Sequence, residues 1–312
     1  MMWDAEEHNA FKRAEIVRSE MRAMSLADSA GGFLVPLTLD PTVLLTSSGS
    51  INPLRRISRV VQTATDKWQG VTSAGVTAEW LVEANEAVDA TPTVAGPDIP
   101  VNKGSAWVPY SYEVGTDAVG FARELQRLLL DAADQLMATA YTIGDGIGKP
   151  TGIVTALAGT ASEINGTGSE AIVAADAFAL QNALPPRFSA RAQWAANLST
   201  INALRQLETS NGALKFPELA NGQLLGRTMN ENSNMDGVIT PAATASNYAM
   251  IYGDFQNFVI VDRIGTTIEL IPNLMGENGR PTGERGLFMW FRTGSDVVVD
   301  NAFRMLDVPT TA

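Results

Sequence analysis

The chain has 312 residues, 45% of them hydrophobic, no cysteine, and a formal net charge of −12. That length accommodates one large domain or two modest ones around a true core, while the missing thiols exclude disulfides, thiolate nucleophiles and cysteine-ligated zinc. A sequence pI near 4.6 opposes tight wrapping of nucleic acid, whose phosphates reward a basic stripe.

No apolar run reaches the ~18 residues of a membrane span and no leader pattern is visible, so a soluble chain is expected. Arginine outnumbers lysine, with lysine only at 12, 67, 103, 149 and 215, and the guanidinium suits fixed contacts between packed surfaces. Residues 5 to 24 place Phe11, Ala14, Val17, Met21 and Met24 on one helical stripe. From Ser25 to Leu54, the glycines and prolines of Gly31-Gly32, Pro36, Pro41, Gly49 and Pro53 break every long element, which reads as an extended arm needing a neighbour to order it.

A strand is expected over Ile57 to Thr63. The Thr-, Val-, Ala- and Glu-rich stretch from Ala64 to Gly104, with Trp68 and Trp80, reads as a long hairpin whose arms of roughly 15 residues each reach about 50 Å. Its charges, Glu83, Glu86 and Asp89, suit exposed strands that must not pair wrongly. Val108, Tyr110, Tyr112 and Val114 then alternate as in a half-buried strand. A helix is predicted from Asp117 to Thr142, capped by Thr116 or Asp117, with Phe121, Leu125, Leu128, Ala132, Leu136 and Ala140 as its stripe.

The helix exits through Gly144-Asp145-Gly146-Ile147-Gly148-Lys149-Pro150-Thr151-Gly152-Ile153, which superficially resembles a phosphate-binding loop. Ile143 stands where the first glycine of that motif belongs and Pro150 where its hydroxyl belongs, and the loop follows a helix rather than a strand. A glycine-punctuated turn with Gly144 as a helix C-terminal cap is the reading adopted. Beyond it, a helix opening at Asp176, a buried strand over Arg191 to Asn197, a helix over Ser199 to Glu208 and a turn-rich 213 to 247 are expected. Strands follow at Ala249 to Tyr252, Phe258 to Asp262, Thr267 to Ile271, Gly286 to Arg292 and Val297 to Val299. Helices and strands in separate runs indicate an α+β fold.

Catalytic patterns are thin. The only histidine is His8, in the N-terminal charged segment, and one histidine with no cysteine does not make a usual zinc site. Carboxylates in neighbouring positions, Glu83 with Glu86 and Asp89, Asp254 with Asp262, and Asp296 with Asp300, are the acid/base candidates. The run Asn230-Glu231-Asn232-Ser233-Asn234-Met235-Asp236-Gly237 invites a calcium loop starting at Asn232, but the twelfth position is Ala243 where a glutamate is needed, so a polar turn is preferred. Arg55, Arg56 and Arg59 form the only tight basic cluster, read as an interface or solvated patch. No metal and no cofactor is expected.

Taken in order, several motifs carry a resemblance. They are Ala30-Gly31-Gly32-Phe33-Leu34-Val35-Pro36, Pro53-Leu54-Arg55-Arg56, the Gly144 to Ile153 turn after the long helix, Trp194-Ala195-Ala196-Asn197, Leu224-Leu225-Gly226, Tyr252-Gly253-Asp254-Phe255 and Asn301-Ala302-Phe303. With them the chain resembles, over nearly its full length, the major capsid proteins of tailed bacteriophages with the Hong Kong 97-type fold. The resemblance implies an N-arm over 1–55 and an extended β-hairpin E-loop over 64–104. It implies a peripheral domain over 56–63, 105–150 and 263–296, with its spine helix at 117–142, and an axial domain over 151–262 and 297–312.

It also implies a function: self-association into hexamers and pentamers that close an icosahedral shell around double-stranded DNA, in the virion capsid, after assembly in the bacterial host cytoplasm. Expected partners are other copies of the chain, portal and scaffolding proteins, a decoration protein, and DNA by proximity without sequence specificity. Some relatives join subunits covalently through an E-loop lysine; the matching stretch Val82-Glu83-Ala84-Asn85-Glu86-Ala87 has none, so no cross-link is expected. Intersubunit contacts are assigned to Phe33, Leu34 and Val35 in the arm, Arg55, Arg56 and Arg59 at its root, and Trp68, Trp80, Glu83 and Glu86 in the hairpin. The rival readings are an encapsulin-type nanocompartment shell and, from another class, a carboxylate-dependent hydrolase.

Overall fold

The computed structural model describes residues 45–83, 85–117, 120–168 and 170–311. The expected helix at 5–24, the arm motif with Phe33, Leu34 and Val35, and His8 lie outside the described residues. A short helix, α1 (Leu54–Ile57), precedes strand β1 (Arg59–Gln62), so the strand expected from Ile57 starts two residues later. The hairpin follows as β2 (Lys67–Gln69), β3 (Thr72–Ser73), β4 (Val94–Ala95) and β5 (Asp98–Pro100). β2 pairs antiparallel with β5, and β3 with β4. Among the described residues pairing thus occupies only the base, and those of 74–93 contain no strand.

β6 (Asn102–Ser111) is the return strand. It stops short of Tyr112 and Val114, which the alternation had placed in it; both lie in helix α2 (Tyr112–Asp117). The local cause is Ser111, whose Oγ accepts from the Val114 amide at 3.3 Å, a side-chain bond that competes with the ladder and starts a helical turn. Gly120, left-handed at φ 88°, then separates α2 from α3 (Phe121–Ile143). The helix expected from Asp117 is therefore two helices, and Thr116 turns its hydroxyl back to the Glu113 carbonyl at 2.9 Å. The buried row on α3 is also shifted from the expected stripe: Leu125, Leu129 and Ala133 are buried, with Met137 packed below, while Ala132 and Leu136 are exposed. Steps of four residues keep this row on the sheet, as packing of i±4 ridges requires.

Four strands form the first sheet in the order β1, β12 (Phe258–Ile271), β13 (Glu284–Val297), β6. β1 lies parallel to β12 and the other neighbours are antiparallel. The two strands expected at 258–262 and 267–271 are one, with register irregularities between Asp262 and Thr267. α3 packs on this sheet through Leu125, Leu129 and Ala133 against Leu287, Met289 and Phe291.

The second sheet has six strands, ordered β7 (Glu163–Asn165), β14 (Phe303–Asp307), β11 (Tyr248–Gly253), β8 (Gln193–Ala196), β10 (Arg227–Glu231), β9 (Gln223–Leu224). Helices α4 (Ile153–Leu157), α5 (Ala174–Ala183), α6 (Pro186–Ser189) and α7 (Leu198–Arg205) accompany it. Asn197 caps α7 by accepting from the Ser199 amide at 3.1 Å. Four strands are invisible to local pattern, the short β7 and β9 and the longer β10 and β14. β10 lies in the stretch expected to be turns, because Arg227-Thr-Met-Asn-Glu carries almost no apolar signal. The strand expected at 297–299 is not formed, since β13 ends at Val297, and β14 stands beyond it; β14 buries Phe303 and Met305 in one cluster and Leu306 in another, so its apolar run does not alternate.

An apolar joint links the sheets. Tyr141 from α3, Ile153 and Leu157 from α4, Phe258 and Ile260 from β12, and Phe303 and Met305 from β14 share one buried cluster. Phe255 and Phe303 meet edge to face there with centroids 5.5 Å apart, an arrangement favoured by the ring quadrupoles.

Candidate intersubunit surface

The basic cluster divides among three kinds of contact. Arg55, on α1, pairs with Asp262 of β12 through both guanidinium nitrogens. Asp262 also accepts from Thr293 Oγ1 at 3.0 Å, and Thr293 Oγ1 lies 2.7 Å from the buried Tyr141 hydroxyl. The hydrogen bond to Asp262 raises the Arg55 pKa, and burial pushes the Tyr141 phenol up to about 12, so the guanidinium keeps its charge and the phenol stays neutral. Arg56 donates to Asn230 Oδ1 at 3.0 Å. Arg59 stands 6.0 Å over the Trp68 ring, and Trp68 packs half-buried beside Ile99 and Val259. All four residues thus hold intrachain contacts, Arg59 and Trp68 at the root of the hairpin and Arg55 and Arg56 beside it against β12 and β10, a role that residue type and spacing alone did not reveal. Asp262, Tyr141 and Thr293, which complete the network, lie on three elements far apart in sequence, and no local signal announces them.

The hairpin tip is the opposite case. Trp80 has a relative exposure of 103%, and Val76, Leu81, Val82 and Val88 around it are exposed as well. Glu83 and Glu86 are exposed beside them. The tip is pinned locally by the Val88 amide donating to Glu79 Oε1 at 2.7 Å and the Asn85 amide to the Val82 carbonyl at 3.2 Å. Contiguous exposed apolar groups of this kind mark an interaction surface.

The loop after α3 is fixed by backbone rather than by a ligand. The Gly144 amide donates to the Ala140 carbonyl and its own carbonyl accepts from the Gly152 amide, both at 2.9 Å; the Thr151 amide reaches the Ser295 carbonyl at 3.1 Å. Gly144 closes the helix in extended conformation, at φ −62° and ψ 141°, rather than in the left-handed form usual for a glycine cap. Lys149 pairs with Asp145 at 3.1 Å, and the negative end of the α3 dipole faces the loop, which disfavours a phosphate there. Together with the end of α3, the start of β6 and the later part of β13, the loop lines an apolar cleft of about 380 Å³. Leu136 and Ile143, half exposed, stand among its walls.

The carboxylate candidates are dispersed. Asp254, buried, pairs with Arg191 at 3.4 Å and accepts from the Gln256 amide at 3.1 Å; Asp262 belongs to the Arg55 network. Burial raises the pKa of Asp296, and the charge of Asp300 adds to it. In the asparagine-rich run, Asn230 and Asn232 are buried and hydrogen-bonded inside the chain. Among the described residues no group of three or more potential metal ligands occurs, and no helix is long and apolar enough to cross a membrane.

The sequence profile described as "Phage capsid family" matches residues 31–308. Among curated proteins, none matches the chain. Of solved structures, a chain titled "Capsid of native GTA particle computed with C5 symmetry" superposes with a TM-score of 0.77 at 24% identity, covering 92% of this chain and 99% of that one. A chain from Mycobacterium phage Ogopogo superposes at 0.64 with 18% identity, covering 91% and 99%; one from Gordonia phage Cozz does so at 0.63 with 14% identity, covering 91% and 94%. At these identities the likeness speaks for the fold.

Proposed function

The chain belongs to the phage capsid family, with the Hong Kong 97-type fold and the role of a capsid shell protein, and from that premise we propose how it builds a shell. Copies associate as hexamers and pentamers into an icosahedral head around double-stranded DNA. The segment 1–55 serves as the N-arm and 64–104 as the E-loop, each lying over a neighbour. Residues 56–63, 105–150 and 263–296 form the peripheral domain, and 151–262 with 297–312 the axial domain. Many modest interfaces, each repeated by symmetry, replace one strong site. Assembly in the host cytoplasm with portal and scaffolding proteins, and a decoration protein outside, complete the proposal. The role is structural, without catalysis.

The observation that carries this reading is the hairpin, whose paired base packs on the first sheet through Ile99 against Val259 and Val261, while at its tip Trp80 is fully exposed among the described residues. A monomeric hydrolase has no use for such a tip. Size-exclusion chromatography with electron microscopy of the purified protein tests the proposal: closed megadalton shells are expected, and a monodisperse monomer at high concentration would refute it. DNA within particles purified from the native source separates a head from an enzyme-filled nanocompartment.

No cross-linking between subunits is expected, because the tip carries no lysine and Lys67 and Lys103 stand at the hairpin base. Shells boiled in denaturant should run as one band at 33.2 kDa; a ladder of covalent oligomers would refute this.

A further inference from the structure

We propose that the hairpin tip of one copy seats in the cleft at the end of α3 of a second copy, with Trp80 inserted between Leu136 and Ile143. This rests on the shell-subunit reading and names the partner surface for its hairpin. Two observations bring the two surfaces together. First, tip and cleft are complementary in polarity. The tip offers a large aromatic knob flanked by Leu81 and Val82, and the cleft, about 380 Å³ with mostly apolar walls, exposes two aliphatic side chains to water. Tryptophans buried in desolvated pockets are enriched among interface anchors.

Second, the charges match. The tip carries Glu79, Glu83, Glu86 and Asp89, whereas Lys103 and Lys149, two of only five lysines in the chain, line the cleft. Lys149 is shared with Asp145. Lys103 lies 5.4 Å from the Phe288 ring and 5.8 Å from that of Trp290, and among the described residues it has no carboxylate partner.

Knob and hole lie on different surfaces of the same chain. Contacts between such surfaces are head-to-tail, and they close into rings when the rotation per subunit permits. The acidic tip and the lysines of the cleft, both carried by this one chain, fit a second copy as the occupant. The Gly144–Pro150 loop then serves as one wall of the cleft rather than as a cradle for phosphate.

The absence of cysteine makes the test clean. In the full-length chain, Trp80→Cys is combined with Leu136→Cys or with Ile143→Cys, and assembled particles are oxidised and run without reductant. Intersubunit disulfide ladders in at least one double variant, absent from each single variant, are expected. Particles without such ladders overturn the proposal, as does linkage of Trp80→Cys to itself in the single variant. Linkage of Phe33→Cys to Leu136→Cys in its place overturns it in favour of the arm as occupant.

Where a double variant fails to assemble, a cycle of Trp80→Ala and Leu136→Glu decides. Each single change should raise the subunit concentration needed for assembly roughly tenfold, with the double change no worse than the more damaging single. Independent, multiplying effects overturn the proposal. If the unaltered chain forms no particles at all, it is the shell reading that fails.

Discussion

Replacing Gly144 by alanine separates two reasons why the turn after α3 is rich in glycine. At φ −62° and ψ 141°, the backbone of Gly144 is open to any residue. A Cβ there would nonetheless stand within 2.5 Å of the Ala140 carbonyl oxygen and even nearer the Pro150 oxygen, and both are backbone atoms that cannot swing aside as a side chain could. Gly148 is the converse: left-handed at φ 69°, but with nothing within 4 Å of an added Cβ. Forcing the turn apart to fit a methyl group costs about 1–3 kcal/mol by the measure of overpacked cores, and the two clashing carbonyls put Gly144→Ala at the upper end. Gly148→Ala incurs only the left-handed penalty, about 1 kcal/mol. In a domain of this size, each kcal/mol lowers Tm by ~2–4 °C. Thermal unfolding of the dissociated subunit, followed by circular dichroism, should therefore show a fall of roughly 6–12 °C for Gly144→Ala and roughly 2–4 °C for Gly148→Ala. If Gly148→Ala proves the more damaging, backbone freedom and not close approach fixes the turn, and the account of the cleft wall is wrong.

Two other outcomes follow from the charged groups. Arg55→Ala leaves the Asp262 carboxylate, 17% exposed, with Thr293 as its side-chain partner; because Arg55 is itself half exposed, solvent screening limits the loss to about 1–2 kcal/mol, read as a lower urea midpoint at neutral pH. An unchanged midpoint together with failed assembly would place the guanidinium in a subunit interface instead. For Asp296, the folded-state pKa is raised, so the fold favours the protonated form: its contribution is most favourable below the unfolded-state pKa and is lost as pH rises through the folded-state value. Asp296→Asn keeps an oxygen for the Val297 amide, which donates to Asp296 Oδ1 at 2.8 Å. It should raise subunit Tm at pH 7 and leave it unchanged at about pH 3, where the carboxyl is already protonated; equal gains at both pH values would refute the burial argument.

The parts of the fold legible in sequence were those with a period or a marker. Leu125 and its neighbours announced α3, the valines and isoleucine of 258–261 announced β12, and Gly144 announced the end of a helix. What was illegible depended on partners distant in the chain. β10 is a strand because Met229, Asn230 and Glu231 find Trp194, Ala195 and Ala196 alongside, not because of its own residues. The break at Gly120 and the turn begun by Ser111 are single-residue events inside a window that averages as helix or strand. At the candidate surface, the exposed tip was foreseeable from a charged hairpin with an isolated tryptophan. The cleft was not, since β6, α3, β13 and the turn meet there only in three dimensions.

β12 explains how a contact at the hairpin can be felt across the subunit. Its first residues are buried on both faces: Val259 and Val261 pack with Ile99 at the hairpin base, while Phe258 and Ile260 enter the joint between the sheets. The same strand then offers Asp262 to Arg55 and Thr293. Close-packed cores pass displacement on rather than absorb it, so a lateral shift of Ile99 moves a strand that is also one wall of the joint. The unpaired stretch 74–93 behaves differently. Having no ladder of its own, it can adapt to a neighbour without loading β12, and only the paired base from Lys67 to Ser73 and from Val94 to Pro100 conveys force. Adaptable contact at the tip and stiff coupling at the root are therefore assigned to different residues of one hairpin. Substitutions at Trp80 should then change assembly while sparing subunit stability, and substitutions at Ile99 should change both.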